Sequence, residues 1–343
     1  MTDGKTRFAL IGAGNIAAKY VDAFKNIETA ALVGIVTRTA AKAQAFATAH
    51  DIPHWATDMK TLFDATEVDA VVIATPSGLH SQGTIEAAKF GKHVLCEKPL
   101  DITLEKIDAM TEACRKAKVQ LGCAFQFRTF EHNRIAYETI KSGKLGKIYI
   151  ANAFLKNFRT QQYYDSGPWR GTWTLDGGGP FMQQGAHTID LVVWMMGRAR
   201  QVTAFINTAA HKIEVEDMGH AIVRYENGAQ GLLEASTVVK PGYPNRIEFH
   251  GEKGSIILSE SDIVDWQVEG VEKPMLESTS HTSGSKDPMA IGTLGHEMII
   301  KDFLQSIEQN RPPLVPPDSA RLSVELILAI YRSAKTGRPV EIS

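Results

Sequence analysis

The sequence feature that most constrains the fold is a glycine-rich turn wedged between a short apolar run and a helix-like stretch. Residues 8–11 are Phe-Ala-Leu-Ile, and Gly12-Ala13-Gly14-Asn15-Ile16-Ala17 follows directly. This is the spacing G-x-G-x-x-A at the junction of a strand and a helix, the context in which it marks a dinucleotide-binding turn. Gly12 permits the tight bend, Gly14 lets main chain approach a pyrophosphate, and Ala17 is small enough for the helix to pack on the strand. Asn15 and Ile16 open the helix, whose N-terminus attracts the anion. A glycine turn in isolation would be no more than a bend; the alternation that follows gives this one its meaning.

That alternation is strand-sized apolar runs at 32–36, 70–74 and 93–96, separated by stretches of helical periodicity, the rhythm of a parallel sheet built from βαβ units. Val71-Val72-Ile73-Ala74 is apolar without a break, as expected of a strand covered on both faces. Residues 104–118 read as a helix and 119–125 as a further strand. The texture then changes, with a helix at 131–142, a turn at 143–146 and an alternating strand at 148–158. Asn227-Gly228 between the runs 221–225 and 231–235 is a hairpin signal, and Glu252-Lys253-Gly254 turns another pair of strands. A polar stretch within 272–293 reads as a loop, and helical patterns return at about 295–309 and 318–336. The 343 residues exceed the roughly 250–300 at which one core stops growing. The reading is therefore two domains, a dinucleotide-binding domain over 1–125 and a second over 126–343.

Composition narrows the partners. A net charge of −2 gives no electrostatic case for nucleic acid or an anionic membrane surface. No run reaches the roughly 18 apolar residues that a membrane helix needs. Cys96, Cys114 and Cys123 form no C-x-x-C pair and no metal-ligand spacing, so free thiols in a reducing cytoplasm, without a bound metal, are expected. The expected partner is a small molecule.

Three strand ends carry the candidate cofactor contacts. After the second strand, where a carboxylate would hold an adenosine 2′-hydroxyl, the chain has Thr37-Arg38-Thr39. A hydroxyl and a guanidinium there favour NADP over NAD, although Arg38 could equally stack on adenine or be a solvated loop cation. After the third, Thr75-Pro76-Ser77-Gly78-Leu79-His80 leaves the sheet at its carboxyl edge, where ligands of such sheets bind. Thr75, Pro76 and His80 are cofactor-loop candidates, with His80 read first as a helix-start or packing residue. After the fourth comes Glu97-Lys98-Pro99.

Together the glycine turn, the Ala-Thr-Pro…His loop, Glu-Lys-Pro and the later Gly177-Gly178-Gly179…His187-Thr188-Ile189-Asp190 segment resemble the Gfo/Idh/MocA family of sugar and inositol dehydrogenases. The resemblance implies an α/β Rossmann domain with a parallel sheet. It implies beside it a C-terminal α+β domain built on a large, mainly antiparallel open sheet, used for substrate binding and for pairing into a homodimer or homotetramer. It places Lys98 and His187 at the reacting carbon. Imidazole suits a base at neutral pH, and an ammonium beside the same oxygen would stabilise a developing alkoxide. Gln183, His187 and Asp190 have helix-compatible spacing, which would let Asp190 orient the imidazole. Relatives usually carry a carboxylate or asparagine where this chain has Gln183; glutamine cannot be a base, so it is assigned to substrate hydroxyls. The resemblance also gives Gln126 and Glu97 to the cofactor site, Arg128 and Asn157 to substrate, and Arg170 to the cofactor beside Tyr163 and Trp169, whose rings suit a pyranose. Leu155 lacks the polar group some inositol enzymes place there. The implied activity is hydride transfer between NAD(P) and a hydroxyl or keto carbon of a sugar, polyol, inositol or sugar nucleotide. Two other readings stay open: a glycosidase using NAD transiently, and a non-catalytic nucleotide-binding regulator.

Overall fold

A computed structural model describes residues 4–260, 262–276 and 292–342. Most of the polar stretch read as a loop lies outside the described residues. In chain order the first elements are β1 (Thr6–Ile11), α1 (Asn15–Lys25), β2 (Ala30–Val36), α2 (Ala40–Ala49), β3 (His54–Ala56), α3 (Met59–Ala65), β4 (Ala70–Ile73), α4 (His80–Lys89), β5 (His93–Cys96), α5 (Leu104–Ala117) and β6 (Leu121–Cys123). There follow α6 (Glu131–Lys141), β7 (Ile148–Lys156), α7 (Gln161–Asp165), α8 (Ala186–Met196), β8 (Ala199–Asn207), β9 (Met218–Tyr225) and β10 (Gln230–Ser236). The chain ends with β11 (Arg246–Gly251), β12 (Gly254–Ser259), β13 (Ile263–Val268), α9 (Leu294–Glu308), α10 (Pro317–Thr336) and β14 (Val340–Glu341).

The chain divides into two compact units, Met1–Gln126 with Thr293–Ala320, and Phe127–Gly292 with Arg321–Ser343. In the first, six strands form one sheet in the order β3-β2-β1-β4-β5-β6, all parallel. Strand order therefore reverses between β1 and β4, and the crevice beyond their carboxyl ends is where open α/β sheets bind ligands. The unbroken apolar character of residues 70–73 has the cause expected of it, since every one of them is 0% exposed. The three-residue β3 has no counterpart in the sequence reading. A single cut near 125 also differs from the structure in one respect: residues 293–320 pack with the first unit. Buried Ile299, Ile300 and Phe303 hold α9 there, against α1 and β5. The Phe303 ring presses on Gly122, where an added Cβ would lie 3.0 Å away, and Cys123 N–H donates to Val315 O at 3.0 Å.

The second unit is built on an eight-stranded sheet in the order β13-β12-β11-β7-β10-β9-β8-β14. It is antiparallel apart from the parallel pairing of β7 with β10. The Asn227-Gly228 turn joins β9 to β10, with Gly228 at φ +87° and Arg224 opposite Gln230. Ala151, Ala153 and Leu155 alternate inward along β7, the strand against which α8 packs. Every α8 residue except His187 and Trp194 is buried, so this helix is a core element from which an imidazole emerges. Phe205 and Ile222 stand 76% and 59% exposed on β8 and β9.

Candidate functional site

In the first unit the candidate residues gather at the carboxyl edge of the parallel sheet. Gly12 has φ +108°, and a Cβ there would lie 2.6 Å from Ala74 O, so the chain itself requires glycine. Gly14 is different. Its conformation is extended, at φ −84°, and an added Cβ would meet no atom closer than Ala74 O at 4.0 Å. The fold itself therefore does not require glycine at this position. The first turn of α1 has no side-chain cap and no acidic residue; Ala17 N–H donates to Gly14 O at 3.0 Å, and the main-chain N–H groups of exposed Asn15 and half-buried Ile16 stand where a helix N-terminus receives an anion. The Thr75 hydroxyl oxygen is buried without a hydrogen-bond partner, an orphan at the same edge next to Pro76. These three features fit the phosphates and ribose of a dinucleotide.

His80 is 1% exposed; its ring nitrogens face Thr75 O at 2.9 Å and Pro99 O at 2.8 Å. At the start of α4, it ties the Thr75 loop to the Glu-Lys-Pro loop. Thr37 Oγ1 donates to Thr39 O at 2.9 Å, while Arg38 is exposed. Glu97 is 7% exposed and accepts the Tyr20 hydroxyl at 2.8 Å and the Lys98 main-chain N–H at 3.1 Å. Burial pushes its carboxyl up, but His296, Lys98 and the Tyr20 hydroxyl outweigh that and hold it below the usual glutamate range. Lys98 is half-buried and the Lys98–Pro99 peptide is cis. Gln126 is buried at the end of this unit's first segment.

In the second unit, His187 lies in the first turn of α8, half-buried, with the Phe127 ring stacked on it at 4.4 Å and 16°. Gln183 was expected on the same helical face, but α8 begins only at Ala186. The chain turns tightly at Gly185, whose N–H donates to Pro180 O at 2.6 Å and where a Cβ would lie 2.7 Å from that oxygen. Gln183 therefore sits in the preceding turn, its amide donating to Asp176 O.

Asp190 does lie one turn beyond His187, but both its oxygens accept from Arg128, at 2.7 and 2.6 Å. Each partner is 1% exposed, and the guanidinium also lies 5.3 Å from the Trp194 ring. The residue expected to orient the imidazole and the one expected to touch substrate are thus bonded to each other. Phe127, the sequence neighbour of Arg128, is the ring stacked on the imidazole.

Asn157 follows β7, 3% exposed, with Oδ1 unpartnered. Arg170 is sandwiched 4.4 Å from both the Tyr163 and Trp169 rings and donates to Tyr163 Oη at 2.7 Å. The three expected neighbours therefore form one aromatic–cation cluster, which Gln184 Nε2 joins at 3.3 Å.

Several residues of this architecture were not singled out from sequence. Asn245 Nδ2 donates to Thr188 Oγ1 at 3.1 Å while its Oδ1 is buried without a partner. Glu216, 1% exposed, accepts the N–H groups of Gly179 and Phe181 at 2.9 and 3.2 Å and the Tyr331 hydroxyl at 2.9 Å. Burial pushes its carboxyl up to about 7 in spite of those bonds. A Cβ on Gly179 would lie 1.8 Å from the main-chain oxygen of Glu216 and 3.0 Å from its carboxyl carbon, so the glycine segment before His187 fits closely against this residue. Neither residue type nor spacing signals such a role.

A parallel sheet with the order 3-2-1-4-5-6, a glycine cradle at its switch point and a lysine at the end of β5 define the class: a dinucleotide-binding oxidoreductase. Residues 6–125 match the profile of the oxidoreductase family with an NAD-binding Rossmann fold, and residues 134–257 match the GFO/IDH/MocA C-terminal domain. In structure the chain is similar to the WlbA dehydrogenase from Bordetella pertussis in complex with NADH and UDP-GlcNAcA, at 30% identity and TM-score 0.87 over 99% of each chain. In sequence it is similar to 1,5-anhydro-D-fructose reductase of Ensifer adhaerens, 27% identical over 98% of each chain. It is likewise similar to myo-inositol 2-dehydrogenase of Thermotoga maritima, 24% identical over 98% of each. The chain belongs to the GFO/IDH/MocA family of oxidoreductases. Among the described residues no helix is long and apolar enough to cross a membrane.

Proposed function

We propose that this chain is a dehydrogenase acting on a hydroxyl carbon of a nucleotide-linked sugar, with Lys98 and His187 as its catalytic groups. The observation that carries the reading is the contrast between Gly12, which the fold itself requires, and Gly14, which faces open space beside the orphaned Thr75 hydroxyl. Gly12, Gly14, Asn15, Ile16, Thr75 and Pro76 would hold the dinucleotide, and the nicotinamide ring supplies the two-electron partner for hydride when bound. His187 takes the hydroxyl proton, and the Lys98 ammonium stabilises the alkoxide as it develops. The Phe127 ring limits how the imidazole can turn. Asn157 and the cluster of Tyr163, Trp169 and Arg170 hold sugar hydroxyls and ring faces, with Gln183 as a further contact. The nucleotide-linked sugar is favoured by the likeness to the Bordetella enzyme, which was solved with such a compound.

For the cofactor, exposed Arg38 and the absence of a carboxylate at the end of β2 support NADP over NAD. Exposed Phe205 and Ile222 on the open side of the second sheet support a homodimer or homotetramer. Three buried free thiols fit a cytoplasmic address.

The test is a dehydrogenase assay over UDP-GlcNAcA, free sugars and inositols with both cofactors, followed by nicotinamide absorbance. Net reduction with UDP-GlcNAcA, lost by at least about a hundredfold in Lys98→Ala and His187→Ala with cofactor affinity retained, is the expected result. Full turnover in either variant removes that residue from the mechanism. Tightly held NAD with no net reduction on any compound refutes dehydrogenation. Arg38→Ala should weaken NADPH binding more than NADH binding, and equal losses on titration would overturn the NADP assignment.

A further inference from the structure

Helix α9 brings a histidine to the strand end that carries Lys98. His296 is 2% exposed, and neither ring nitrogen has a hydrogen-bond partner. An unsatisfied buried polar group costs about 1–3 kcal/mol, so packing alone is a poor reason for an imidazole here. A better one is the Glu97 carboxylate. His296 Nε2 lies 3.7 Å from Glu97 Oε1, the oxygen that also accepts the Tyr20 hydroxyl at 2.8 Å. The imidazole meets the Tyr20 ring edge-on, with centroids 5.0 Å apart and planes at 75°. The second carboxylate oxygen, Oε2, accepts the main-chain N–H of Lys98 at 3.1 Å. One carboxylate thus links α1 and α9 on one side to the lysine on the other.

We propose that His296 is a positioning residue for Lys98: with Tyr20 it fixes the Glu97 carboxylate that holds the lysine, and its charge sets the field the carboxylate presents there. The inference rests on the reading of Lys98 as a catalytic group. With the imidazole neutral, the negative charge of Glu97 is directed at Lys98. A protonated imidazole donates to Oε1 and competes for that charge. The titratable groups that face His296 are Tyr20 from α1 and Glu97 at the end of β5; Lys98 acts on Glu97, Cys96 and Cys123 lie near the Tyr20 hydroxyl, and Glu297 of α9 itself is engaged by Asn26 and Thr293. Burial pushes the Tyr20 hydroxyl and the Cys96 thiol well up, so both stay neutral near neutral pH. An imidazole exists in a neutral and a cationic form, and the two act on a neighbouring carboxylate differently.

Competitive acetylation with acetic anhydride, read by mass spectrometry on the full chain, tests this without substrate or cofactor. The readout is the reactivity of Lys98 relative to exposed Lys60 as pH is varied across the range in which imidazole titrates. In the wild type the ratio should change by roughly three- to tenfold. In His296→Phe, which keeps a ring against Tyr20, and in the smaller His296→Asn, that change should vanish. Tyr20→Phe, which removes only the hydroxyl, should alter the ratio at every pH while leaving its pH dependence in place. A wild-type profile in a folded His296 variant overturns the inference, as does a wild-type ratio at every pH in Tyr20→Phe. If Lys98→Ala abolishes turnover while the labelling profiles are unchanged, the inference fails and the catalytic reading of Lys98 stands. If Lys98→Ala turns over normally, that reading fails, and the labelling comparison still decides whether His296 controls the lysine's surroundings.

Discussion

The glycine segment before His187 is anchored to a carboxylate that burial makes reluctant to ionise, and this has a measurable consequence for stability. Glu216 is nearly inaccessible, and burial outweighs its bonds from Gly179, Tyr331 and Phe181, raising the carboxyl from 4.5 to about 7. In the unfolded chain it ionises at its ordinary value. The folded state therefore binds the proton more tightly, so this group's contribution to stability is greatest below pH 4.5 and is lost as pH rises toward 7, where folding must take up an ionised, desolvated carboxylate. At about 1.4 kcal/mol for each pH unit, the full difference is roughly 3 kcal/mol. Glu216→Gln keeps the size of the side chain and one acceptor oxygen but cannot ionise. The stability difference between wild type and Glu216→Gln should therefore move by roughly 3 kcal/mol in favour of the variant between pH 4.5 and 7.5. Denaturant unfolding followed by tryptophan fluorescence measures it, with Trp173 close by against Tyr331. A difference that stays constant over that range would show that Glu216 does not titrate with a raised value, and the argument from burial would be wrong.

Arg128→Ala leaves Asp190 as an unpaired buried carboxylate and should cost about 3–5 kcal/mol, whereas Arg128→Met with Asp190→Leu should cost far less; equal losses in denaturant unfolding would contradict the pairing. Gly12→Ala places a methyl group 2.6 Å from Ala74 O at φ +108°, a strain of at least about 1–3 kcal/mol. A lowered melting temperature is expected, with NADH affinity falling by at least about tenfold in fluorescence titration. Gly14→Ala, with no protein atom closer than 4.0 Å to the new methyl, should leave the melting temperature within a few degrees while weakening NADH binding. A variant that loses stability but binds normally would refute the assignment of that space to a ligand.

What could be read from sequence was what depends on near neighbours along the chain. The run at 70–74 emerges as β4 because a strand covered on both faces must be apolar at every position, and in β5 the same holds for buried Val94, Leu95 and Cys96 after half-buried His93. The β9–β10 hairpin is legible because Asn-Gly carries its own turn geometry. At three residues, β3 is too short to show a period. The spacing of Gln183, His187 and Asp190 suggested one continuous helix; the close turn at Gly185 breaks it, and only the proximity of Pro180 O makes that turn necessary. Pairings such as Arg128 with Asp190, Glu216 with Tyr331, and Glu97 with His296 join residues far apart in sequence. Topology decides them, and no local signal carries them. Lys98 and His187 stood out because four short motifs in order resembled a family. Without that order, each is an ordinary lysine or histidine.

Two of these long-range contacts, both buried carboxylates, show how one physical penalty is turned to different ends. Burial is the largest influence on Glu97 and on Glu216, and in both it pushes the carboxyl upward. Glu216 meets main-chain N–H groups and a tyrosine hydroxyl, neutral donors that only partly replace lost water, and it ends near 7. Glu97 has a similar hydroxyl from Tyr20 but adds His296 and the cationic Lys98, and it ends below its ordinary value. Nearby positive charge decides the outcome. The pH dependences must then oppose each other. Glu97 contributes stability above the ordinary glutamate value and loses it as the medium is acidified through its lowered one, while Glu216 contributes most in acid and least above 7. A neutral, hydrogen-bonded acid is sufficient to anchor the glycine segment. A carboxylate that must hold a lysine's main chain and face its ammonium has to remain an anion, and the Lys98 charge together with the groups gathered on Glu97 keeps it one.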